Sequence, residues 1–276
     1  MNANNHYFPA SAFHASCTSG WANWPVANDE STEGGYMSVL NATAMSVNSA
    51  FAQMGTEVDL CSISKIAKSL LVHSASPHSN PWMIQPSMIL GTNYISPLTM
   101  ATAYAAFANK GVVCTPVAIT KVTTPEGSNL DVPKTTCTQG IPAKIANAVA
   151  YALQRVMQYG TAVSANPGDG VPILSKTGTT DYAHENWLVT STTKVSTATW
   201  IGNVQGVGPN GTQADMHYVY FQYKNSGPLI QGNNVKFFVA KPVLRAINSK
   251  FGGAPFATPE HSLLYPYVPP PPPAPK

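Results

Sequence analysis

Charge is scarce in this sequence: Asp, Glu, Lys and Arg make up 10% of its 276 residues, against about a quarter in an average soluble chain. Its surface must therefore be made polar by Ser, Thr, Asn and Gln, which suits an extracytoplasmic protein. Arg155 and Arg245 are the only arginines, and the basic residues are scattered along the chain. Nucleic-acid binding, which needs clustered phosphate contacts, is excluded as a reading. No apolar run reaches the length of a membrane span. Met1-Asn2-Ala3-Asn4-Asn5-His6 has neither the basic start nor the apolar stretch of a signal peptide; if the protein is exported, its signal is elsewhere. No close cysteine pair of the Cys-x-x-Cys type occurs, and a metal site has little support. No organic cofactor is implied.

What is present fits a globular domain: 44% hydrophobic residues in a chain long enough to bury a core. The four cysteines, Cys17, Cys61, Cys114 and Cys137, allow three pairings or four buried thiols. Cys114 and Cys137 flank alternating segments joined across a Pro125-Glu126-Gly127 turn, as the arms of a hairpin would. That favours 114–137 and leaves 17–61, an unstrained closure of the 114–137 size contributing about 3 kcal/mol by loop entropy.

Residues 1 to about 35 show no sustained period and read as an irregular segment packed on something else. From Tyr36 to Gly55 the apolar spacing is helical, interrupted at Ser46-Val47-Asn48. Further helices are expected over about Ser62–Val72, from the Ser96-Pro97 start to Asn109, and from Pro142 to Gly160. Strands follow at Val171–Thr177, Asn186–Ser191 and Val195–Ile201, then a helix over Val235–Asn248 with Phe237, Phe238, Val243, Leu244 and Ile247 as its buried side. The expected division is a domain over 1–253 and a Pro-rich tail over 254–276, the run Val268–Pro275 forming a polyproline II spacer.

Two short motifs carry chemistry, Ser46-Val47-Asn48 and Lys176-Thr177-Gly178 with Thr179. Each is weak in isolation, a chance Lys-Thr-Gly arising with odds on the order of one in twenty in a chain this long. Their setting strengthens them. Gly178, at the end of an expected strand, lets a ligand lie against the backbone, the way a peptide adds to a sheet edge. In this order, together with Gly35 to Phe51, Ile95-Ser96-Pro97-Leu98 through Lys110-Gly111, Gly160-Thr161-Ala162, Trp187 and Trp200-Ile201-Gly202, they resemble the serine penicillin-binding proteins. The likeness is greatest to the transpeptidase domain of bifunctional, class A, actinobacterial enzymes, over roughly residues 15 to 250. The set to which they belong is Ser-x-x-Lys, Ser-x-Asn and Lys-Thr-Gly.

The resemblance implies an α+β fold of the transpeptidase and serine β-lactamase type, a helical subdomain against an antiparallel sheet flanked by helices. It implies that Ser46 relays protons, Asn48 holds the substrate's peptide group and Lys176 supplies positive charge. Thr177 and Thr179 would bind a carboxylate, with Gly178 giving access and the Thr179 N–H serving as an oxyanion donor. Implied partners are peptidoglycan stem peptides and β-lactams, on the extracytoplasmic face of the membrane.

One departure is decisive for that expectation. The first lysine is Lys65, so no Ser-x-x-Lys precedes Ser46. Ser62-Ile63-Ser64-Lys65 and Ser191-Thr192-Thr193-Lys194 fall in the wrong order and read as a helical pair and a turn, and His184 beside Glu185 reads as a loop residue. The chain is thus expected to be the C-terminal part of a D,D-transpeptidase that lacks the nucleophilic serine. Such a part would be inactive without an upstream complementing segment, and any membrane anchor would lie in what is missing. The alternatives are a non-catalytic stem-peptide-binding or scaffold protein, or a gene remnant.

Overall fold

The computed structural model describes residues 2–4, 6–29, 34–203, 207, 214–222 and 227–265. The expected polyproline run Val268–Pro275 lies outside them. The chain opens with a short antiparallel pair, β1 (Tyr7–Phe8) and β2 (Trp24–Pro25). Phe8, Phe13 and Trp24 stack there with ring centroids 5.8 to 6.4 Å apart. Together with Val26, Ala52, Leu60 and Met88 they form one buried cluster, so the irregular opening segment is part of the core of the helical half.

Helices α1 (Val39–Met45) and α2 (Asn48–Gly55) are broken by Ser46, which ends α1 in the left-handed conformation, φ 61°. Ser38 caps α1 by accepting the Asn41 N–H at 3.1 Å. α3 (Leu60–Ser69) starts on Asp59, whose carboxylate accepts the N–H groups of Cys61 and Ser62. The same carboxylate takes the Ser16 N–H at 2.8 Å. These bonds, that from Ser16 foremost, hold it well below the usual carboxylate range. The disulfide Cys17–Cys61 lies beside this junction and ties the opening segment to α3. α4 (Pro97–Ala108) begins as expected, with Ser96 as N-cap and Pro97 in the first turn.

The expected hairpin is a nested one. β3 (Val112–Cys114) pairs with β6 (Cys137–Gln139), placing Cys114 opposite Cys137, and β4 (Val122–Thr123) pairs with β5 (Asn129–Leu130) inside it. Cys114–Cys137 is the second disulfide. α5 (Ala143–Gln158) then leads to the three-stranded antiparallel sheet of β7 (Leu174–Thr179), β8 (Glu185–Ser191) and β9 (Ser196–Gly202), in that order. A separate pair, β10 (Tyr220–Gln222) and β11 (Leu229–Gln231), precedes α6 (Val235–Phe251). A last turn of helix, α7 (His261–Leu264), follows.

Strand alternation assigns the two faces of the main sheet. Leu174 shares a buried cluster with Ala150 and Leu153 of α5. Leu188, cross-strand from Thr177 and hence on the opposite face, is buried with Ala240 and Leu244 of α6. Each fully buried leucine contributes roughly 2 kcal/mol by apolar area, so the sheet is clamped from both sides.

Three expectations need correction. The first strand begins at Leu174, later than expected, and runs through Thr179, so Lys176-Thr177-Gly178 lies within the strand and not at its end. The buried stripe of α6 is Lys236, Ala240, Leu244 and Asn248 at four-residue spacing, while Phe238 and Val243 are 49% and 47% exposed. Apolar character misassigned that face because the stripe buries an ammonium and an amide. Finally, the chain stays on the core past Gly253: Phe256 packs against the Ala150–Leu153–Leu174 cluster.

The loop closed by Cys17–Cys61, with 44 residues of separation, is worth about 4 kcal/mol in the chain-entropy model. The double variant Cys17→Ala/Cys61→Ala is expected to lose most of that stability in a urea titration, with an unchanged disulfide at 114–137 by mass mapping.

Candidate functional site

The break between α1 and α2 exists because Ser46 adopts a positive φ, a conformation that costs a non-glycine residue about 1 kcal/mol or more. Val47, 1% exposed, anchors the break by packing with Ala3, Ala42 and Ala50. The end of α1 is braced from the other side by Gly160-Thr161: the Thr161 N–H donates to Ala44 O at 3.1 Å. A side chain at Gly160 would put its Cβ 2.1 Å from the same carbonyl. The backbone at 160 thus touches α1 so closely that only glycine fits.

Against this corner stands β7. Lys176, on the α5 face of the sheet, donates from Nζ to Ser46 Oγ at 2.5 Å and to Thr177 O at 3.0 Å. Thr177, on the other face, pairs its hydroxyl with that of Thr161 at 2.6 Å. Gly178 packs on Trp187 across the strand. The Thr180 N–H bonds Glu185 O, and because the antiparallel ladder alternates, the N–H groups of Thr177 and Thr179 point out of the opposite edge of β7. Among the described residues no strand pairs with that edge. It therefore offers outward donors flanked by an ammonium, two serine and threonine hydroxyls and a glycine gap.

Asn48 begins α2 and lies two residues from Ser46, but its Nδ2 donates to Ala27 O at 2.9 Å. Beside it, Asn28 Oδ1 accepts the Ser49 N–H at 2.9 Å. The segment around Ala27–Asn28 thus holds the start of α2 and was not singled out by the sequence. Ser62 donates to Asp59 within the α3 cap, Ser191 donates to Thr192 O in the β8–β9 turn, and both late Ser-x-x-Lys matches are used structurally. A concavity of about 510 Å³ between α4, β3 and the β8–β9 turn is lined by Leu98, Thr102, Asn109 and Lys194 among others; no residue of Ser46-Val47-Asn48 or Lys176-Thr177-Gly178-Thr179 lines it.

Sequence reasoning also missed Lys236. It is 3% exposed, and its Nζ donates to Thr179 Oγ1 at 2.9 Å and to Gly178 O at 3.2 Å. Burial pulls its pKa down to about 8, partly offset by the charge of Asp29. Its place on the Ala240–Leu244 stripe, four residues before Ala240, was the available signal. No group of three or more His, Cys, Asp or Glu residues suited to a metal occurs among the described residues. No helix among them is long and apolar enough to cross a membrane.

Residues 1–221 match the model of the penicillin binding protein transpeptidase domain, and the chain belongs to that family. Among curated relatives it is similar to Penicillin-binding protein 1A of Aquifex aeolicus, 28% identical over 180 residues, covering 65% of this chain and 24% of the relative. Similarity to Penicillin-binding protein 1A of Mycobacterium tuberculosis is 27% over 202 residues, covering 67% of this chain and 24% of the relative. The chain thus spans about a quarter of the length of these relatives. In fold it is similar to PonA1 of M. tuberculosis in complex with penicillin V, with a TM-score of 0.71, 23% identity, and coverage of 96% of this chain and 69% of that one. Penicillin-Binding Protein 1A of Haemophilus influenzae gives a TM-score of 0.67 at 16% identity, over 93% and 42% of the two chains. The fold is that of the penicillin-binding transpeptidases.

Two outcomes follow from these contacts. Gly160→Ala forces Ala44 and the end of α1 aside and is expected to lose about 2 kcal/mol of stability in denaturant titration. Lys236, with its folded pKa below the unfolded 10.5, opposes folding while charged. That cost is full below pH 8 and is relieved as pH rises toward 10.5. The stability gap between wild type and Lys236→Met should therefore shift by up to about 3 kcal/mol, in favour of wild type, between pH 7 and 10.5.

Proposed function

We propose that this chain supplies two walls of the acyl-transfer cleft of a class A peptidoglycan D,D-transpeptidase. The observation that carries the reading is the Lys176–Ser46 contact, which joins the Lys-Thr-Gly and Ser-x-Asn signatures across 130 residues of sequence. The substrate is a stem peptide ending in D-Ala-D-Ala. Lying along the outer edge of β7, its C-terminal carboxylate meets the Thr177 and Thr179 hydroxyls and its scissile carbonyl oxygen meets the Thr179 N–H. Removing one such oxyanion donor elsewhere costs roughly 3 kcal/mol of barrier.

In the reaction a serine hydroxyl attacks the penultimate D-Ala carbonyl, the terminal D-Ala leaves as its amine, and an acceptor amine then displaces the serine. Ser46, held between Lys176 and the cleft, carries the proton toward the departing amine: the ammonium donates to Ser46 Oγ, which leaves the serine's own proton to donate onward. Lys176 offsets the negative charge that gathers on the oxyanion and carboxylate. Asn48 keeps its Nδ2 bond to Ala27 O and holds the substrate's peptide group with its second Nδ2–H or its Oδ1. β-Lactams enter by the same route, as acylating mimics of the D-Ala-D-Ala end.

The attacking serine, with the lysine that activates it as base, comes from a segment other than these 276 residues, since no Ser-x-x-Lys stands ahead of Ser46. The site so read works on the extracytoplasmic face of the membrane, where peptidoglycan is assembled. The outer edge of β9, which has no partner strand among the described residues, and the exposed Phe238, Val239 and Val243 of α6 are surfaces the serine-bearing segment would cover.

A fluorescent penicillin is expected to leave no covalent band on this chain in a denaturing gel, and to label the protein once an upstream Ser-x-x-Lys segment is joined to it. Labelling of the 276 residues by themselves would overturn the reading of where the nucleophile lies. Failure of the joined protein to label, though folded, would overturn the transpeptidase reading.

A further inference from the structure

The stripe of α6 that packs on the sheet runs Lys236, Ala240, Leu244 and Asn248. Three of these positions are explained by packing or by a tertiary hydrogen bond: Ala240 and Leu244 belong to the apolar cluster, and Asn248 Nδ2 bonds the carboxylate of Asp169 at 2.9 Å. Lys236 is different. It is an ammonium withdrawn from water, aimed at the end of β7 where the Lys-Thr-Gly-Thr sequence lies, and bonded there to Thr179 Oγ1 and Gly178 O. An apolar side chain of similar length would pack at this place without the desolvation that the charge incurs.

The chemistry of the hydroxyl says what the ammonium does. A threonine hydroxyl has one proton to give and two lone pairs. An ammonium only donates, so the Lys236 contact occupies a lone pair of Thr179 Oγ1 and turns the hydroxyl proton away from α6. Thr179 is exposed, so that proton is left for a ligand that lies on this end of β7. The ammonium behind it strengthens it as a donor and adds a second positive charge to a wall that Lys176 already charges.

We propose that Lys236 is a positioning residue that acts through Thr179, fixing its hydroxyl as a donor to an anionic group on the ligand and giving the cleft its preference for a free C-terminal carboxylate. This rests on the reading of the cleft given above and deepens it. The charged groups around Lys236 are few. Asp29, from the segment next to Asn28, is the acidic group whose field reaches it. Lys176 on β7 is bonded to Ser46, Asp181 and Glu185 stand in and after the β7–β8 turn, and along α6 Lys241 and Arg245 reach the carbonyls of Ser164 and Pro167. With a carboxylate bound, Lys236 is held charged, and by reciprocity the carboxylate binds less well as Lys236 loses its proton above pH 8.

The test uses the 276-residue chain, isotope-labelled, titrated with N-acetyl-D-alanyl-D-alanine and with its C-terminal amide, both read by shifts of backbone amide resonances. Wild type is expected to prefer the carboxylate, Lys236→Met to lose about tenfold of that preference with little change for the amide, and Lys236→Arg to restore it. Between pH 7 and 9.5 the preference of wild type should fall while that of Lys236→Arg stays level, because a guanidinium keeps its charge. A merely structural lysine would weaken both peptides alike, and the thermal melt of each variant separates that case from misfolding. Equal loss for both peptides, or a wild-type preference that is independent of pH and of residue 236, overturns the inference and leaves the cleft reading standing. Should wild type bind neither peptide, the cleft reading itself fails, and this inference with it.

Discussion

The Lys176 ammonium reaching Ser46 Oγ is the contact on which the arrangement depends, because it is where the helical half and the sheet meet through chemistry and not only through packing. Each partner is held from behind. Ser46 is fixed by a left-handed turn, by Val47 buried beneath it and by the close approach of Gly160 to Ala44. Lys176 is fixed by the register of β7 on β8 and by a second bond to Thr177 O. A donor and an acceptor brought together by independent elements are preorganised, as the proposed role in acyl transfer requires.

The rest of the fold serves to hold that junction. α5 lies against β7 through Ala150, Leu153 and Leu174, and the turn after it, Gly160-Thr161, touches both α1 and Thr177. One short loop thus links the serine corner and the strand. From the other face α6 closes on Leu188 with Ala240 and Leu244 and brings Lys236 to Thr179. The strand edge consequently lies between two ammonium groups, one on each face, in a chain with few charges to spend.

Much of this was legible in the sequence. The helix break at Ser46, the Ser96-Pro97 start, the hairpin that aligns Cys114 with Cys137 and the succession of three strands all follow from local rules of spacing, capping and turn chemistry. Legibility failed where burial overrides hydrophobicity. Phe238 and Val243 read as core and are exposed, whereas Lys236 reads as surface and is buried; a helix face is chosen by what the neighbouring sheet can accommodate, and the sheet offered a carbonyl and a hydroxyl. The role of the Ala27–Asn28 segment was hidden for the same reason, since its bonds to Asn48 and Ser49 cross twenty residues without a periodic trace.

By itself the sequence determined the inventory: which short motifs exist, in what order, on which kind of element, and that no Ser-x-x-Lys stands ahead of Ser46 among these residues. Those are matters of local identity and period, which a linear string records. Only the tertiary structure decided that Lys176 touches Ser46, that Thr161 is the hydrogen-bonded neighbour of Thr177, and that a second lysine stands behind Thr179. Such pairings are set by strand register and by which faces pack together, and a slip of β7 by one residue would send Lys176, Thr177 and Thr179 to the opposite faces of the sheet.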